Sequence, residues 1–203
     1  MKNKKSAFTL AEVLLVLAII GVIAAVTIPA VMQQSSEKKF ATLAKKSAST
    51  LQNAIDQKIA SVPVGPGDLN VGFLHWIIDG EEDGTNTLKV IKRNNLNNTT
   101  IAQTPDGMVY YIYNSDRCTT PSTRANPLGC ASWVFVDLDG ADGPTKTTVE
   151  NAVTRYSQSF QNAKAYDTIG LRVEADGKVR ARGHGNIIGT RSMKYLGTEL
   201  SGL

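Results

Sequence analysis

The first feature of the sequence is a long apolar stretch close to the amino terminus. Residues 8–32 read FTLAEVLLVLAIIGVIAAVTIPAVM and contain one charged residue, Glu12. A helix of about 20 apolar residues spans the hydrocarbon core of a bilayer, so this segment is long enough to cross it. Residues 1–7, MKNKKSA, form a short basic leader, which predicts a cytoplasmic amino terminus by the positive-inside rule. We therefore expect a single-pass protein whose remaining chain lies outside the cytoplasm.

Beyond this stretch, small and apolar residues recur at helical spacing along one side of the chain. They are Phe40, Leu43, Ala44, Ser47, Ala48, Leu51, Ala54, Ile55 and Ile59. The opposite side carries Lys38, Lys39, Lys45, Lys46, Asn53, Asp56 and Gln57. The pattern predicts one long helix from about Thr9 to about Ala60, apolar all round over 8–32 and amphipathic over 33–60. Pro29 removes one backbone hydrogen bond and is expected to bend or locally melt this helix.

Residues 61–203 have the pattern of a small domain of short strands. The segment SVPVGPGD ends the long helix, and Asp68 is a suitable N-cap for a short helix. That helix would contain Phe73, Leu74, Trp76, Ile77 and Ile78. Strand-like runs follow at Leu88–Ile91, Met108–Tyr113, Trp133–Leu138, Thr168–Val173 and Lys178–Ala181. A long helix followed by an antiparallel meander predicts an α+β fold, with the helix packed on a small sheet.

Glu12 needs an explanation, because an ionisable residue inside an apolar span is costly and usually functional. A secretory signal cleaved near Ala24 or Ala25 does not favour a carboxylate in its apolar core, and a plain uncleaved anchor has no use for one. Cleavage between Ala7 and Phe8 would instead create a free amine on Phe8, one helical turn from Glu12. In a bundle of such helices, Glu12 of one chain can pair with the amine of its neighbour and fix the register of packing.

The residues around this position carry a specific resemblance. The stretch from Ala7 to Leu14, AFTLAEVL, resembles the prepilin peptidase site of type IV pilins and type II secretion pseudopilins. That site has a short basic leader, a small residue before the cleaved bond, an aromatic first residue and a glutamate at the fifth mature position. Gly21 and Pro29 also fall where the family often has a glycine and a helix-kinking proline. The family usually has glycine before the cleaved bond, where this chain has Ala7.

The resemblance implies a processing and assembly pathway. A membrane prepilin peptidase would cleave after Ala7 and methylate the new amino terminus at Phe8. Phe8, Glu12, Gly21 and Pro29 would then serve assembly into a filament, with copies of the chain itself and other pilin-like subunits as partners. An inner-membrane platform protein and an ATPase would drive that assembly. The resemblance also implies the pilin-like α+β fold.

Charge and histidine content narrow the remaining function classes. The formal net charge is +4, and removing Lys2, Lys4 and Lys5 with the leader leaves 4 − 3 = +1, so we expect no nucleic-acid partner. Neither His75 nor His184 accompanies a recognisable nucleophile signature. We therefore expect a structural protein rather than an enzyme.

The two cysteines, Cys118 and Cys130, lie twelve positions apart. Two cysteines and two histidines do not by themselves suggest a structural zinc site. Export favours one disulfide in an oxidising compartment, while two free thiols remain the alternative.

An acidic loop follows the strand-like run at 133–138. Asp137, Asp139 and Asp142 offer hard oxygen ligands of the kind that Ca²⁺ binds. The EF-hand template is not matched, since Ala141 occupies its fifth position. Resemblance to the Asp-rich segment of some pseudopilins adds Asp167, which precedes the next strand, and implies a calcium site. A plain acidic turn is the alternative, and no cofactor is required under that interpretation.

Two functional hypotheses follow. The first is a filament subunit of a type IV pilus or a secretion pseudopilus, held in the bacterial inner membrane by lipid contacts before assembly at the cell surface or in the periplasm. The second is a membrane-tethered extracytoplasmic binding module that does not polymerise.

Overall fold

The long helix predicted from the apolar spacing is present in the computed structural model as α1, which runs over Leu10–Ser61. The structure describes residues 9–62, 74, 77–78, 86–96, 99–113, 130–140, 167–174, 176–181 and 187–197. The chain divides into two compact units, Met1–Lys39 and Phe40–Leu203, and α1 contributes to both.

In the part of the chain that the structure describes, six strands and a helix near the carboxyl end, here called α2, follow α1. They are β1 (Lys92–Leu96), β2 (Thr99–Gln103), β3 (Val109–Tyr113), β4 (Cys130–Asp137), β5 (Thr168–Glu174), β6 (Val179–Ala181) and α2 (Ile187–Leu196). The strands form one sheet in the order β1-β2-β3-β4-β5-β6, and every neighbouring pair is antiparallel. The structure confirms the α+β prediction of a long helix and an antiparallel meander.

The predicted amphipathic stripe forms the helical side of the core. The buried residues on α1 are Phe40, Ala44, Ser47, Ala48, Leu51, Ala54, Ile55 and Lys58. On the sheet, alternate residues of β2, β3, β4 and β5 belong to the same core, because these neighbouring strands align Ala102, Tyr110, Val136 and Ile169 in one row. The small side chains of α1 allow the helix to approach the sheet closely while larger strand residues fill the space between them.

Polar contacts fix the position of α1 on the sheet. The Tyr110 hydroxyl donates to the Ser47 carbonyl oxygen at 3.1 Å, and burial raises the pKa of Tyr110 above its ordinary value. The Gln52 side chain accepts from the Val179 amide at 2.8 Å and donates to the Gly177 carbonyl at 3.0 Å. Gln52 therefore satisfies backbone groups beside β6, which is an edge strand of the sheet.

The central strands are buried on their other face as well. Ile101, Tyr111 and Phe135 lie opposite one another across β2, β3 and β4, and each is at most 4% exposed. Strands with two buried faces have nearly continuous apolar sequences, which explains the run VYYIY in β3 and the run WVFV in β4.

Helix α2 was not predicted from the sequence. Strand β6 pairs only with residues 171–173 of β5, so the first part of β5 needs other partners along that edge. The Gly170 amide donates to Ser192 Oγ at 2.7 Å, and Arg191 Nη1 donates to the Thr168 carbonyl at 3.2 Å. Helix α2 thus supplies polar partners where the strand pairing stops.

The prediction of a strand at Leu88–Ile91 is wrong. Leu88 instead donates its amide to the Ile77 carbonyl at 2.8 Å and is fully buried, and β1 begins at Lys92. Leu74, Ile77 and Ile78 are helical and buried, in agreement with the predicted short helix. Strand β2, Thr99–Gln103, was also missed, because long-range pairing rather than local apolar content determines its conformation.

An ion pair links α1 to the turn between β2 and β3. Lys46 Nζ lies 2.9 Å from Asp106 Oδ2, and the Thr104 hydroxyl also donates to Asp106. Partial burial opposes ionisation of Asp106, but hydrogen bonds from Thr104 and Lys46, with the Lys46 charge, outweigh it and hold the Asp106 pKa below its ordinary value.

We predict that Asp106→Asn lowers the free energy of unfolding at neutral pH and not at strongly acidic pH. Because the folded-state pKa of Asp106 is depressed, its stabilisation is present above the unfolded-state pKa, about 3.9, and is lost as pH falls through the folded-state value. Thermal unfolding of both chains in detergent from pH 7 to pH 2 measures this. A difference that persists undiminished at the acidic end would contradict the assignment.

Two glycines with positive φ support the turns at this end of the sheet. Gly107 has φ of 89° and lies in the β2–β3 turn, and Gly140 has φ of 56° just after β4. A Cβ added at Gly140 would collide with the Gly107 carbonyl oxygen, whereas a Cβ at Gly107 would meet nothing within 4 Å.

We expect Gly140→Ala to destabilise the domain more than Gly107→Ala, which serves as its matched control. Both substitutions impose roughly 1–2 kcal/mol of left-handed backbone strain, and only Gly140→Ala adds a clash with backbone. The total for Gly140→Ala should therefore reach about 2–4 kcal/mol. Chemical denaturation of the two variants gives the comparison, and equal losses would mean that the close approach of the two turns is unimportant.

Candidate functional site

The first half of α1 presents apolar side chains on every side. Leucine, isoleucine, valine and methionine side chains from Leu10 to Met32 are all exposed, from 48% at Val13 to 80% at Leu10. Within the described residues, α1 is the one helix long and apolar enough to cross a membrane. A helix that is hydrophobic all round is stable in lipid or against other apolar helices, and not alone in water.

Glu12 lies in the first turn of α1, and its carboxylate is bound by Thr9. The Thr9 amide and hydroxyl donate to Glu12 Oε2 at 2.8 and 2.9 Å, and the Glu12 amide donates to Thr9 Oγ1 at 3.3 Å. These reciprocal contacts form a capping box, with Thr9 as the N-cap and Glu12 three residues later. Thr9 was not among the predicted site residues, although the spacing T-x-x-E is a recognisable signal for this motif.

Two further predicted assembly residues lie on the same exposed segment. A Cβ added at Gly21 would meet nothing within 4 Å, so packing within the chain does not require glycine there. Pro29 lies inside α1, which remains helical through it, so the structure shows no local melting there. The bend that was expected as the alternative stays a prediction. Nearby, the Thr27 hydroxyl donates to the Ile23 carbonyl at 2.9 Å.

Several predicted site residues lie outside the described part of the chain. These are Ala7 and Phe8 of the processing site, Cys118 of the disulfide and Asp142 of the acidic loop. Cys130 is the first residue of β4, and its pairing with Cys118 stays a prediction.

Three of the four predicted acidic ligands come together at the end of the sheet. Asp137 ends β4, Asp139 follows two residues later, and Asp167 directly precedes β5. Each offers a carboxylate oxygen, and these ligand atoms lie within 4.8 Å of one another. Asp137 and Asp167 are buried, and Asp139 is partly buried.

Backbone contacts hold the acidic loop in this position. The Gly140 amide donates to Asp137 Oδ1 at 2.9 Å, and the Leu138 amide donates to the Asp167 carbonyl at 2.8 Å. The other oxygen of Asp137, Oδ2, is buried without a hydrogen bond, as is Oδ1 of both Asp139 and Asp167. Each of these residues makes additional interactions through other atoms or with other groups.

This donor set fits a hard divalent cation. Carboxylate oxygens are the preferred ligands of Ca²⁺, which takes six to eight oxygens and completes its shell with backbone carbonyls and water. Three carboxylates this close repel one another by roughly 3 kcal/mol per pair at an effective dielectric constant of about 20. A bound cation would replace that repulsion with attraction.

Comparison with known proteins gives one finding. Residues 2–28 match the family model described as the prokaryotic N-terminal methylation motif. No curated protein and no solved structure matches the chain significantly. The matched segment covers the leader, Glu12 and most of the exposed apolar helix, and together these features indicate a membrane anchor that a prepilin peptidase processes. The amino-terminal segment of this chain is therefore the prepilin-type signal of type IV pilin and pseudopilin precursors.

Proposed function

We propose that this chain is a structural subunit of a type IV pilus-like or type II secretion pseudopilus filament. The observation that carries the proposal is the all-round exposure of the apolar helix from Leu10 to Met32, with Glu12 as its single charge. Before assembly, lipid covers this surface. In the filament, the equivalent helices of neighbouring subunits cover it, and the domain that includes the sheet lies outside the helical core.

The charge of Glu12 sets the axial register in which neighbouring helices pack. Cleavage after Ala7 leaves an amine on Phe8, and Glu12 is the acidic residue available to pair with the amine of a neighbouring subunit. Inside a water-poor helical core, an unpaired charge is strongly disfavoured, so axial positions that leave Glu12 without an amine are excluded. The pair therefore acts mainly by specifying one arrangement.

Gly21 supports close contact between helices. Glycine in a helix interior costs about 1 kcal/mol relative to alanine, and no described neighbour within the chain requires it. Small residues in apolar helices allow backbones to approach closely. Gly21 therefore marks a face of α1 where a neighbouring helix packs.

The rival function is a membrane-tethered binding module that does not polymerise. Such a protein needs the apolar span but gains nothing from Glu12 or from cleavage after Ala7. The proposed location is the bacterial inner membrane, with the leader in the cytoplasm and the sheet domain outside it, as the three leader lysines favour.

We predict that Glu12→Gln strongly reduces the fraction of chains in filaments sheared from cells. Glutamine has nearly the same shape and can still accept hydrogen bonds from Thr9, but it carries no charge to pair with a neighbouring amine. Gln34→Glu, an exposed change on the same helix, is the matched control and should assemble normally. The measurement is the ratio of sheared to membrane-bound protein.

Mass spectrometry of the membrane-extracted wild-type chain completes this experiment. A mature amino terminus at Phe8 with one added methyl group is the expected result. Retention of Met1 and the leader, together with unchanged behaviour of Glu12→Gln, would favour the tethered module.

We further propose that Asp137, Asp139 and Asp167 bind a calcium ion that stabilises the domain, with Asp142 as a further candidate ligand. The support is the convergence of three buried or partly buried carboxylates from two chain segments. The ion would join the end of β4 to the start of β5, and its role would be structural rather than catalytic.

We predict that Ca²⁺ raises the thermal midpoint of the full chain in detergent relative to the chelated protein. At a concentration about 100 times Kd, one site adds about 2.7 kcal/mol to the free energy of unfolding. Asp167→Asn should remove the response and, because it relieves repulsion among the carboxylates, should make the chelated protein more stable than chelated wild type.

Asp56→Asn is the matched control for this prediction, since Asp56 is exposed on α1. It should keep the full response to calcium. An identical midpoint for wild type with calcium and with chelator would eliminate the proposed site, and an equal response to Mg²⁺ would assign it to divalent cations in general.

A further inference from the structure

In the capping box at the start of α1, the two oxygens of the Glu12 carboxylate have different contacts. Both Thr9 donors converge on Oε2. Within the described part of the chain, Oε1 accepts no hydrogen bond, and the Glu12 side chain is exposed. One oxygen is thus held by the chain itself, while the other is accessible to a group from outside.

We propose that Thr9 is a positioning residue for Glu12, which holds the carboxylate at the start of α1 so that Oε1 can accept from the amine of a neighbouring subunit. This inference rests on the proposed filament function and adds a residue to it. It assigns a role to the Thr9 hydroxyl, which lies between the processing site and the acidic residue.

The physical advantage is preorganisation. A glutamate side chain has several rotatable bonds, and fixing it at the moment of pairing loses conformational entropy. A carboxylate that is already held loses less on association, so the same ion pair forms more readily. The positive end of the helix dipole acts in the same direction, because it favours a carboxylate in the first turn.

The same contacts also stabilise the Glu12 carboxylate before assembly. A subunit waiting in the membrane has no neighbouring amine for Glu12. Its own helix start then supplies donors to the carboxylate through the Thr9 amide and hydroxyl. Since these donors use Oε2, they need not be released when a neighbour arrives at Oε1.

Two substitutions of Thr9 separate the hydroxyl from the methyl group. Thr9→Val keeps the branched shape and removes the hydroxyl, whereas Thr9→Ser keeps the hydroxyl and removes the methyl. We expect Thr9→Val to lower the fraction of processed subunits found in sheared filaments several-fold, and Thr9→Ser to remain close to wild type. Counting only chains cleaved at Phe8, identified by mass spectrometry, separates assembly from processing.

The opposite pattern, with serine defective and valine normal, would mean that Thr9 acts through packing of its methyl group and would overturn the inference. Normal assembly of both variants would overturn it as well. If Glu12→Gln assembles like wild type, the proposed ion pair itself is contradicted. If Glu12→Gln is defective while Thr9→Val assembles normally, only the proposed role of Thr9 is contradicted.

A spectroscopic measurement on the full chain in detergent micelles tests the contact directly. The backbone amide of residue 9 should exchange slowly with solvent in wild type and in Thr9→Ser, and faster in Glu12→Ala. Equal exchange rates in wild type and Glu12→Ala would show that the capping contact is not maintained and would also overturn the inference.

Discussion

The structure depends on one long helix, α1, whose first part is exposed and whose second part packs on the sheet. Up to Met32 the helix is apolar on every side, and from Phe40 onward a stripe of small and apolar residues packs on the sheet. The first part needs lipid or other helices, while the second part is satisfied within the chain. One continuous helix therefore contains an internal core element and an exposed apolar surface, which is the physical basis for membrane anchoring and for the proposed filament assembly.

Burial of the second part depends on side chains that join the helix to particular places on the sheet. Apolar contact alone would tolerate sliding of α1, because hydrophobic burial is not directional. Tyr110, Gln52 and Lys46 each make a polar contact between α1 and the sheet domain, and each contact requires one register. The core thus supplies the stabilisation, and the polar contacts select one position of the helix.

Elements with a clear local periodicity could be predicted from the sequence. Elements that depend on contacts between distant segments could not. The stripe from Phe40 to Ile59 repeats at helical spacing, so α1 could be predicted almost completely. Strand β2 and helix α2 carry weak local signals, and their positions depend on partners such as Tyr110 and Gly170 that are distant in sequence. The acidic residues were visible individually, but only the folded chain brings Asp137, Asp139 and Asp167 within 4.8 Å.

The role of Thr9 was not predicted, for a different reason. Its T-x-x-E signal is local, but a single charge in an apolar span points first to a partner outside the chain and not to a contact within the same helix. The two roles are compatible because a carboxylate has two oxygens, and the capping contacts use one of them. In the proposed assembly, Glu12 is first in the membrane and later in a filament, and the contact with Thr9 can be kept in both places. The T-x-x-E spacing at the first turn provides such a contact without adding a second charge to the apolar span.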